Sequence, residues 1–215
     1  LRFDFVYDEQ GRQTHVLKPG TWAGGSAPDG YVEHRKFYDE EGRLTREAGP
    51  VNVSLAGVAQ TGLPVGHRKI TDYSYADGRL VSERYGSASA DFSLINTGPA
   101  AIAYRYDGKT GQLLEKDVTN DDGLRDRRES YVYEELTGDL KHVYTYNRQG
   151  VLVREETTFR EERTGLVTAR VTPEGTVSYR YDDAGRLAQI ATSTGLSTRY
   201  RYDDYGRLLA VIDPG

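Results

Sequence analysis

A stretch of nine residues occurs twice near the end of the chain and restricts what the chain can fold into. It reads Tyr-Arg-Tyr-Asp-Asp-Ala-Gly-Arg-Leu over residues 179–187 and returns, with Tyr for Ala, over residues 200–208. Tyrosines at alternate positions lie on one face of a strand. An aspartate favours a turn by accepting a backbone N–H, and a glycine supplies the positive φ of a short hairpin loop. The stretch therefore predicts a strand, a tight turn and a returning strand.

The register of this hairpin follows from the turn. If Asp182 faces Arg186, then Tyr181 faces Leu187 on one side of the sheet, and the Asp–Arg pair lies on the other. Counting outward from each similar turn places a Tyr opposite a Leu, although the loops differ in length. Because a slip of one residue would turn that face to water, the constant pair predicts that the Tyr/Leu face is buried.

The repeat residues predicted to be structural are Tyr38, Gly42, Leu44, Tyr75, Gly78, Leu80, Tyr106, Gly111, Leu113, Tyr133, Gly138, Leu140, Tyr146, Gly150, Leu152, Tyr181, Asp182, Gly185, Arg186, Leu187, Tyr202, Asp203, Gly206, Arg207 and Leu208. A weaker copy runs from Tyr7 to Gln13, where Gln replaces Leu. We also expect the repeat arginines to pair with the turn aspartates.

Composition and spacing favour an all-β fold, a meander of antiparallel β-hairpins in a curved, twisted sheet with essentially no helix. The chain has 215 residues, with 17 Tyr against 5 Phe and 24 Gly. Tyrosine suits a pleated, half-buried surface, and glycine suits many turns. No segment spaces its apolar residues as a helix would over three turns. We predict a single β domain over residues 1–215.

Three segments interrupt the repeats and are predicted to be loop insertions, at about 19–30, 49–66 and 86–100. Long loops in a compact domain are commonly functional. We therefore take Trp22 and Phe92 as candidate residues of a ligand or partner surface. For Trp22 two interpretations stay open, a ring folded onto the sheet and an exposed ring that stacks on a ligand. Phe92, Leu94 and Ile95 are expected to tuck under the sheet.

The residues that usually perform catalysis give little signal. The chain has no Cys, which excludes disulfides, thiolate nucleophiles and Cys-ligated zinc. The four histidines (His15, His34, His67 and His142) fall in different repeats without metal-binding spacing and are expected at the surface. The Asp doublets at 121–122, 182–183 and 203–204 lack the alternation of a calcium loop, and turn formation explains them. We predict no catalytic residue, metal or cofactor.

The formal net charge of -5, with arginines scattered through the turns, argues against nucleic-acid binding. No apolar run approaches the ~20 residues that a membrane-spanning helix needs. The sequence starts at Leu1, so we expect that a leader was removed or that the chain is part of a longer one.

The repeat Tyr-x-Tyr-Asp-x-x-Gly-Arg-Leu resembles the YD repeat of the RHS family. The match is close over 179–187 and 200–208, fair over 38–44, 75–80 and 146–152, and loose over 7–13, 106–113 and 133–140. The family includes bacterial polymorphic toxins, insecticidal toxin complexes and teneurins. The resemblance implies a long sheet of hairpins that spirals into a hollow shell. This chain is too short to close the large shell, and it lacks the Asp-Pro-x-Gly-Leu run associated with self-cleavage.

The resemblance implies a non-catalytic structural or interaction module that encloses or docks another polypeptide, in a secreted, surface or periplasmic toxin-related protein. The partner would be another protein or the rest of a longer repeat chain. Two alternatives remain. One is a protein that binds carbohydrate or polyanions, and the other is a MORN-like immunity protein that binds a toxin.

Overall fold

The computed structural model describes residues 3–22, 25–51 and 66–213. These residues form strands and turns and contain no helix. The strands are β1 (Asp4–Tyr7), β2 (Gln13–Trp22), β3 (Gly25–Tyr38), β4 (Leu44–Val51), β5 (His67–Ala76), β6 (Arg79–Ser89), β7 (Ile95–Tyr106), β8 (Leu113–Thr119), β9 (Arg125–Tyr133), β10 (Leu140–Asn147), β11 (Leu152–Arg160), β12 (Val167–Thr172), β13 (Gly175–Tyr181), β14 (Leu187–Thr192), β15 (Ser197–Tyr202) and β16 (Leu208–Ile212). Their order in the sheet is their order in the chain. The prediction of an all-β meander is confirmed, and the curvature stays a prediction.

The chain divides into two compact units. The first contains residues 1–105 and 116–126, and the second contains residues 106–115 and 127–215. Strands β1 to β6 belong to the first unit and β10 to β16 to the second. The single domain expected over residues 1–215 stays a prediction.

The predicted pairing of Tyr with Leu across the turns is confirmed. Directly opposite residues are Tyr38 and Leu44, Tyr75 and Leu80, Tyr133 and Leu140, Tyr146 and Leu152, Tyr181 and Leu187, and Tyr202 and Leu208. Tyr7 likewise faces Gln13. In the turn of β13 and β14, the N–H of Gly185 donates to Asp182 C=O at 2.9 Å, and the N–H of Asp182 donates to Arg186 C=O at 2.9 Å. The pairing of Tyr106 with Leu113 stays a prediction.

The predicted burial of the Tyr/Leu face is only partly correct. Most of these side chains are half-buried, and Leu152 and Leu208 are 46% and 53% exposed. The described strands belong to one sheet, so side chains on a face are covered mainly by neighbours on that face. Among the described residues, the buried hydrophobic side chains are Ala48, Ile70, Ala88 and Ala100.

One repeat places its Tyr–Leu pair on the other face of the sheet. Tyr146 is opposite Arg128, and Val132 lies four residues from Arg128 on the same face of β9. Tyr133 is adjacent to Val132 and therefore points to the opposite face. The prediction that every repeat places its Tyr–Leu pair on one buried face is therefore wrong for Tyr146. The turn that follows Tyr146 lies at the opposite end of β10 from the turn that follows Tyr133.

The predicted insertions differ from the structure. Residues 19–22 and 25–30 are strand, with Thr21 opposite Ser26 and Trp22 opposite Gly25, because pairing with a neighbouring strand overrides the turn preference of Gly, Ser and Pro. The insertion at 86–100 is instead the hairpin of β6 and β7, with its turn at 90–94. Leu94 and Ile95 are 67% and 46% exposed, contrary to the expected burial. Most of the segment 49–66 lies outside the described residues.

The turn geometry makes Gly185→Ala destabilising. Gly185 has φ 76°, a region that side-chain-bearing residues rarely adopt, and an added Cβ would meet nothing within 4 Å. The expected loss is about 1 kcal/mol from backbone conformation alone. Gly108→Ala is the matched control, since that Cβ also meets open space but no positive φ is required. Thermal denaturation of both variants checks this, and equal melting temperatures would contradict the turn geometry.

Candidate functional site

Each regular turn is closed by an aspartate that holds the arginine four residues later. Asp182 Oδ1 accepts the N–H groups of Arg186 at 2.9 Å and Ala184 at 3.0 Å, and Oδ2 accepts Arg186 Nε–H at 2.7 Å. The same contacts between side chains join Asp8 to Arg12, Asp39 to Arg43 and Asp203 to Arg207. The backbone N–H of Arg186 and then its guanidinium lower the pKa of Asp182, against the opposing effect of desolvation. The predicted Asp–Arg pairing is confirmed for these four turns.

Tyrosine hydroxyls join five of the described hairpins to the hairpin before them, and the sequence analysis missed this contact. In five hairpins the repeat Tyr donates to the backbone carbonyl of the residue at the Leu position of the preceding hairpin. These bonds run from Tyr38 to Gln13 (2.9 Å), Tyr75 to Leu44 (2.9 Å), Tyr133 to Leu113 (2.8 Å), Tyr181 to Val167 (3.0 Å) and Tyr202 to Leu187 (3.0 Å). We call this set the tyrosine ladder. Each rung satisfies a carbonyl near the point where a turn begins.

The rungs share one offset from the strand pairing. Between β14 and β15 the last directly opposite pair is Gln189 and Arg199. Tyr202 lies three residues after Arg199, and its acceptor Leu187 lies two residues before Gln189. The same offsets apply to the rungs of Tyr38, Tyr75 and Tyr181, whose last pairs are His15 with Arg35, Arg46 with Asp72, and Ala169 with Ser178. The phenol therefore bridges neighbouring strands beyond the end of their regular pairing.

The turn arginine also contacts the next hairpin. The guanidinium of Arg186 lies 4.8 Å from the ring centre of Tyr202, and its Nη1–H donates to the carbonyl of Asp203 at 3.3 Å. Arg12 makes the equivalent contacts with Tyr38 (5.0 Å) and the carbonyl of Asp39 (3.1 Å). Arginine is suited to stack on an aromatic ring and donate hydrogen bonds together. These arginines thus hold successive hairpins together.

The second unit carries exposed apolar side chains on the face opposite the ladder. Opposite positions along one row are Val132 and His142, His142 and Thr157, and Thr157 and Val171. Phe159 shares this face because it lies two residues after Thr157 in the same strand. Leu152 shares it because it is opposite Tyr146, which lies four residues after His142 in β10. The apolar face consists of Val132, Leu152, Phe159 and Val171, which are 41%, 46%, 51% and 38% exposed.

Phe92 packs onto the first unit. Its ring meets Phe37 edge-on at 5.1 Å between centroids and contacts the cluster of Ala48, Ile70 and Ala88. This contact agrees with the expected packing of Phe92, and its role as a partner surface stays a prediction. The side chain of Trp22 lies outside the described part of the structure, although its backbone ends β2.

Arg68 is a buried charge that the sequence did not single out. It is 2% exposed, and its guanidinium lies 4.9 Å from the ring centre of Phe92 and 3.3 Å, through Nη2, from Glu33. Desolvation lowers the pKa of Arg68, and Glu33 opposes that effect. An arginine at the start of a strand has no sequence signature of burial, so only the packing of Phe92 reveals it.

Tyr73 and Tyr131 are among the tyrosines that donate to carboxylates, and both stay protonated. Tyr73 donates to Glu47 at 3.0 Å and Tyr131 to Glu129 at 2.7 Å. Burial first, and then the adjacent carboxylate, raise the pKa of Tyr73 and Tyr131 well above the usual value. Their hydroxyls therefore serve as hydrogen-bond donors at neutral pH.

The four histidines are half-buried, and their expected surface position stays a prediction. His15 lies 3.7 Å from Glu33, and His142 stacks on Tyr144 and lies 3.6 Å from Glu155. Long neighbouring side chains on the same sheet face cover them. Within the described ranges, His, Asp and Glu side chains form no group of three that could hold a metal ion. Those ranges also include no helix long and apolar enough to cross a membrane.

Comparison with known proteins identifies the repeat. Residues 163–195 and 184–215 match the model of the RHS repeat family. The resemblance drawn from the sequence is thereby confirmed, and the match covers residues 163–215 of the chain. A comparison with curated proteins finds no match.

Solved structures resemble the chain at low sequence identity. One is the Tc holotoxin pore of Photorhabdus luminescens, at 15% identity and a TM-score of 0.34, with 97% of this chain and 12% of that chain covered. Another is a porin-like protein from Bacteroides uniformis, at 12% identity and a TM-score of 0.33, with 99% and 95% covered. The TcdB2–TccC3 complex matches at 13% identity and a TM-score of 0.26, with 96% and 17% covered. The chain therefore spans only a small part of the toxin chains.

Removal of one ladder hydroxyl should weaken the fold. Tyr181→Phe keeps the ring but leaves the carbonyl of Val167 without its donor, so we expect a loss of about 1 kcal/mol. Tyr179→Phe in the same strand is the control, because the hydroxyl of Tyr179 has no partner among the described residues. Chemical denaturation measures both, and an equal change in the two variants would contradict the role of the ladder.

The stability that the turn around Phe92 gives to the fold should depend on pH. Asp91 accepts from the hydroxyl of Ser89 and from the N–H and hydroxyl of Ser93, which lowers the pKa of Asp91 to about 2. Because the pKa of Asp91 is lower in the folded than in the unfolded chain, the ionised carboxylate stabilises the fold above its ordinary pKa of 3.8 and loses this effect as pH falls through about 2. The difference in melting temperature between the native chain and Asp91→Asn should be largest near pH 5 and shrink toward pH 2. A difference independent of pH would contradict this.

Proposed function

We propose that this RHS-repeat chain is a non-catalytic module of a secreted or surface-exposed toxin-related protein, and that it docks or encloses another polypeptide. The observation that carries the proposal is the apolar face of the second unit. Its four apolar side chains lie on one sheet face and keep between 38% and 51% of their surface exposed. Exposed apolar side chains gathered on one face favour protein–protein contact.

The ladder contacts support a structural role. The turn aspartates and their arginines are engaged with each other, and Arg12 and Arg186 also contact the next hairpin. The phenols of the ladder are likewise engaged, with backbone carbonyls. These groups stabilise the array, which leaves the exposed apolar side chains as the surface for a partner. Carbohydrate and polyanion binding stay predictions, as does the role of an immunity protein.

Site-specific photo-crosslinking tests the proposal. A benzophenone amino acid placed at Val171 would lie on the apolar face, whereas the same group at the exposed neighbour Arg170 would lie on the opposite face. The intact chain is mixed with each polypeptide encoded beside its gene. We expect one of them to crosslink from position 171 and not from position 170.

The control pair differs by one residue, so diffusion and expression affect both positions equally. Absence of a crosslinked polypeptide, or equal crosslinking from both positions, would refute docking on the apolar face. Turnover of a substrate by the purified chain would refute the non-catalytic part of the proposal.

A further inference from the structure

One hairpin lacks the tyrosine that the ladder requires. Between β10 and β11 the last opposite pair before the turn of β11 and β12 is His142 with Thr157. Leu140 lies two residues before His142, and Arg160 lies three residues after Thr157. These are the offsets of the ladder, so Arg160 occupies the tyrosine position and Leu140 supplies the acceptor position.

The guanidinium of Arg160 does not contact the carbonyl of Leu140 in the way that a ladder hydroxyl would. Its Nη1–H donates to the carbonyl of Gly165 at 2.9 Å in its own turn, and its Nη2 lies 3.6 Å from Asp139 of the preceding turn. An arginine has no aromatic ring to fill the space between the two turns. This hairpin therefore lacks the bond from a phenol to the carbonyl of Leu140.

A groove of about 620 Å³ lies between these two turns. Its lining includes Leu136, Leu140, Lys141, Thr158 and Arg160. Leu136, at the tip of the turn between β9 and β10, is 94% exposed. The volume lies within the range of ligand sites in proteins, enough for one aromatic side chain and its adjoining backbone.

We propose that this groove binds an unmodified tyrosine side chain presented by another polypeptide. The phenol hydroxyl would donate to the carbonyl of Leu140, and the ring would lie beside the guanidinium of Arg160. The occupant follows from the chain itself, because four other hairpins place a phenol at this offset and donate its hydroxyl to the equivalent carbonyl. The proposal goes beyond the docking role above, because Arg160 follows Phe159 directly in β11 and therefore points away from the apolar face.

The charges at the groove exclude a phosphorylated tyrosine. The lining contains four carboxylates, from Glu134, Asp139, Glu161 and Glu162, against the two cations of Lys141 and Arg160. Lys141 is already paired with Glu134 at 2.8 Å, and Arg160 with Asp139. A phosphate would meet excess negative charge, whereas a neutral phenol would not.

Titration of the full chain with N-acetyl-tyrosinamide tests the proposal. Binding is monitored in NMR spectra through the chemical shifts of the backbone amides of Leu140 and Arg160. We expect saturable binding with Kd of about a millimolar, in keeping with a small ligand. N-acetyl-phenylalaninamide should bind about threefold to tenfold more weakly, because it lacks the hydroxyl. The phosphotyrosine analogue should not bind.

Arg160→Tyr supplies the missing ring from within the chain and should abolish binding of the amide. Arg180→Tyr, at an exposed position of β13 away from the groove, should leave binding unchanged. The NMR spectrum of each variant shows whether it is folded. Absence of saturable binding, equal affinity for the two amides, or binding that survives Arg160→Tyr would overturn the proposal.

The crosslinking measurement keeps the two proposals apart. Phe159 belongs to the apolar face and also lines the groove, whereas Val171 does not line it, so crosslinking from position 171 tests docking on the apolar face apart from the groove. Crosslinking without amide binding would overturn the groove and leave the docking role standing. Amide binding without crosslinking would overturn docking on the apolar face and support the groove.

Discussion

The hydrogen bond from a tyrosine hydroxyl to a backbone carbonyl of the preceding hairpin is the contact on which this structure depends. Neighbouring strands stop pairing before each turn, so a carbonyl there would otherwise have only water as a partner. The hydroxyls of Tyr38, Tyr75 and Tyr202 donate to such carbonyls at 2.9 to 3.0 Å. In each case the tyrosine and its acceptor have the same offset from the last pair of opposite residues. A bond of this kind contributes about 1 kcal/mol, and its repetition along the sheet makes the total substantial.

This contact explains why the chain contains 17 Tyr and only 5 Phe. The sheet has few fully buried side chains in its described part, so apolar burial alone supplies little stability. A phenol covers apolar surface with its ring and satisfies a carbonyl with its hydroxyl. The arginine of the preceding turn then lies against the ring, as Arg43 does at 5.1 Å from Tyr75, and ties the turn to the next strand.

The sequence predicts contacts within a hairpin better than contacts between hairpins. The register of Tyr181 with Leu187 and the closure of the turn by Asp182 and Arg186 follow from residue types and their spacing. The acceptor of the Tyr181 hydroxyl is the carbonyl of Val167, and a backbone group leaves no mark on the sequence. Residues 19–30 look like a loop by composition, yet pairing with a neighbour makes residues 19–22 and 25–30 strand. Arg160 escaped notice because its hairpin lacks the Tyr that defines the motif, although Gly165 still marks the turn.

Each rung of the ladder reaches only to the adjacent hairpin, and this has a consequence for how the chain responds to damage. Stability is then a sum of local terms and nearest-neighbour terms, as in other linear repeat arrays. Loss of one phenol or one turn would loosen the two hairpins that share it, while hairpins further along keep their own contacts. Opening would therefore spread from a weak site in steps, and hydrogen-exchange rates should vary along the array instead of reporting one common event. The same independence lets whole hairpins be gained or lost during evolution without redesign of the others.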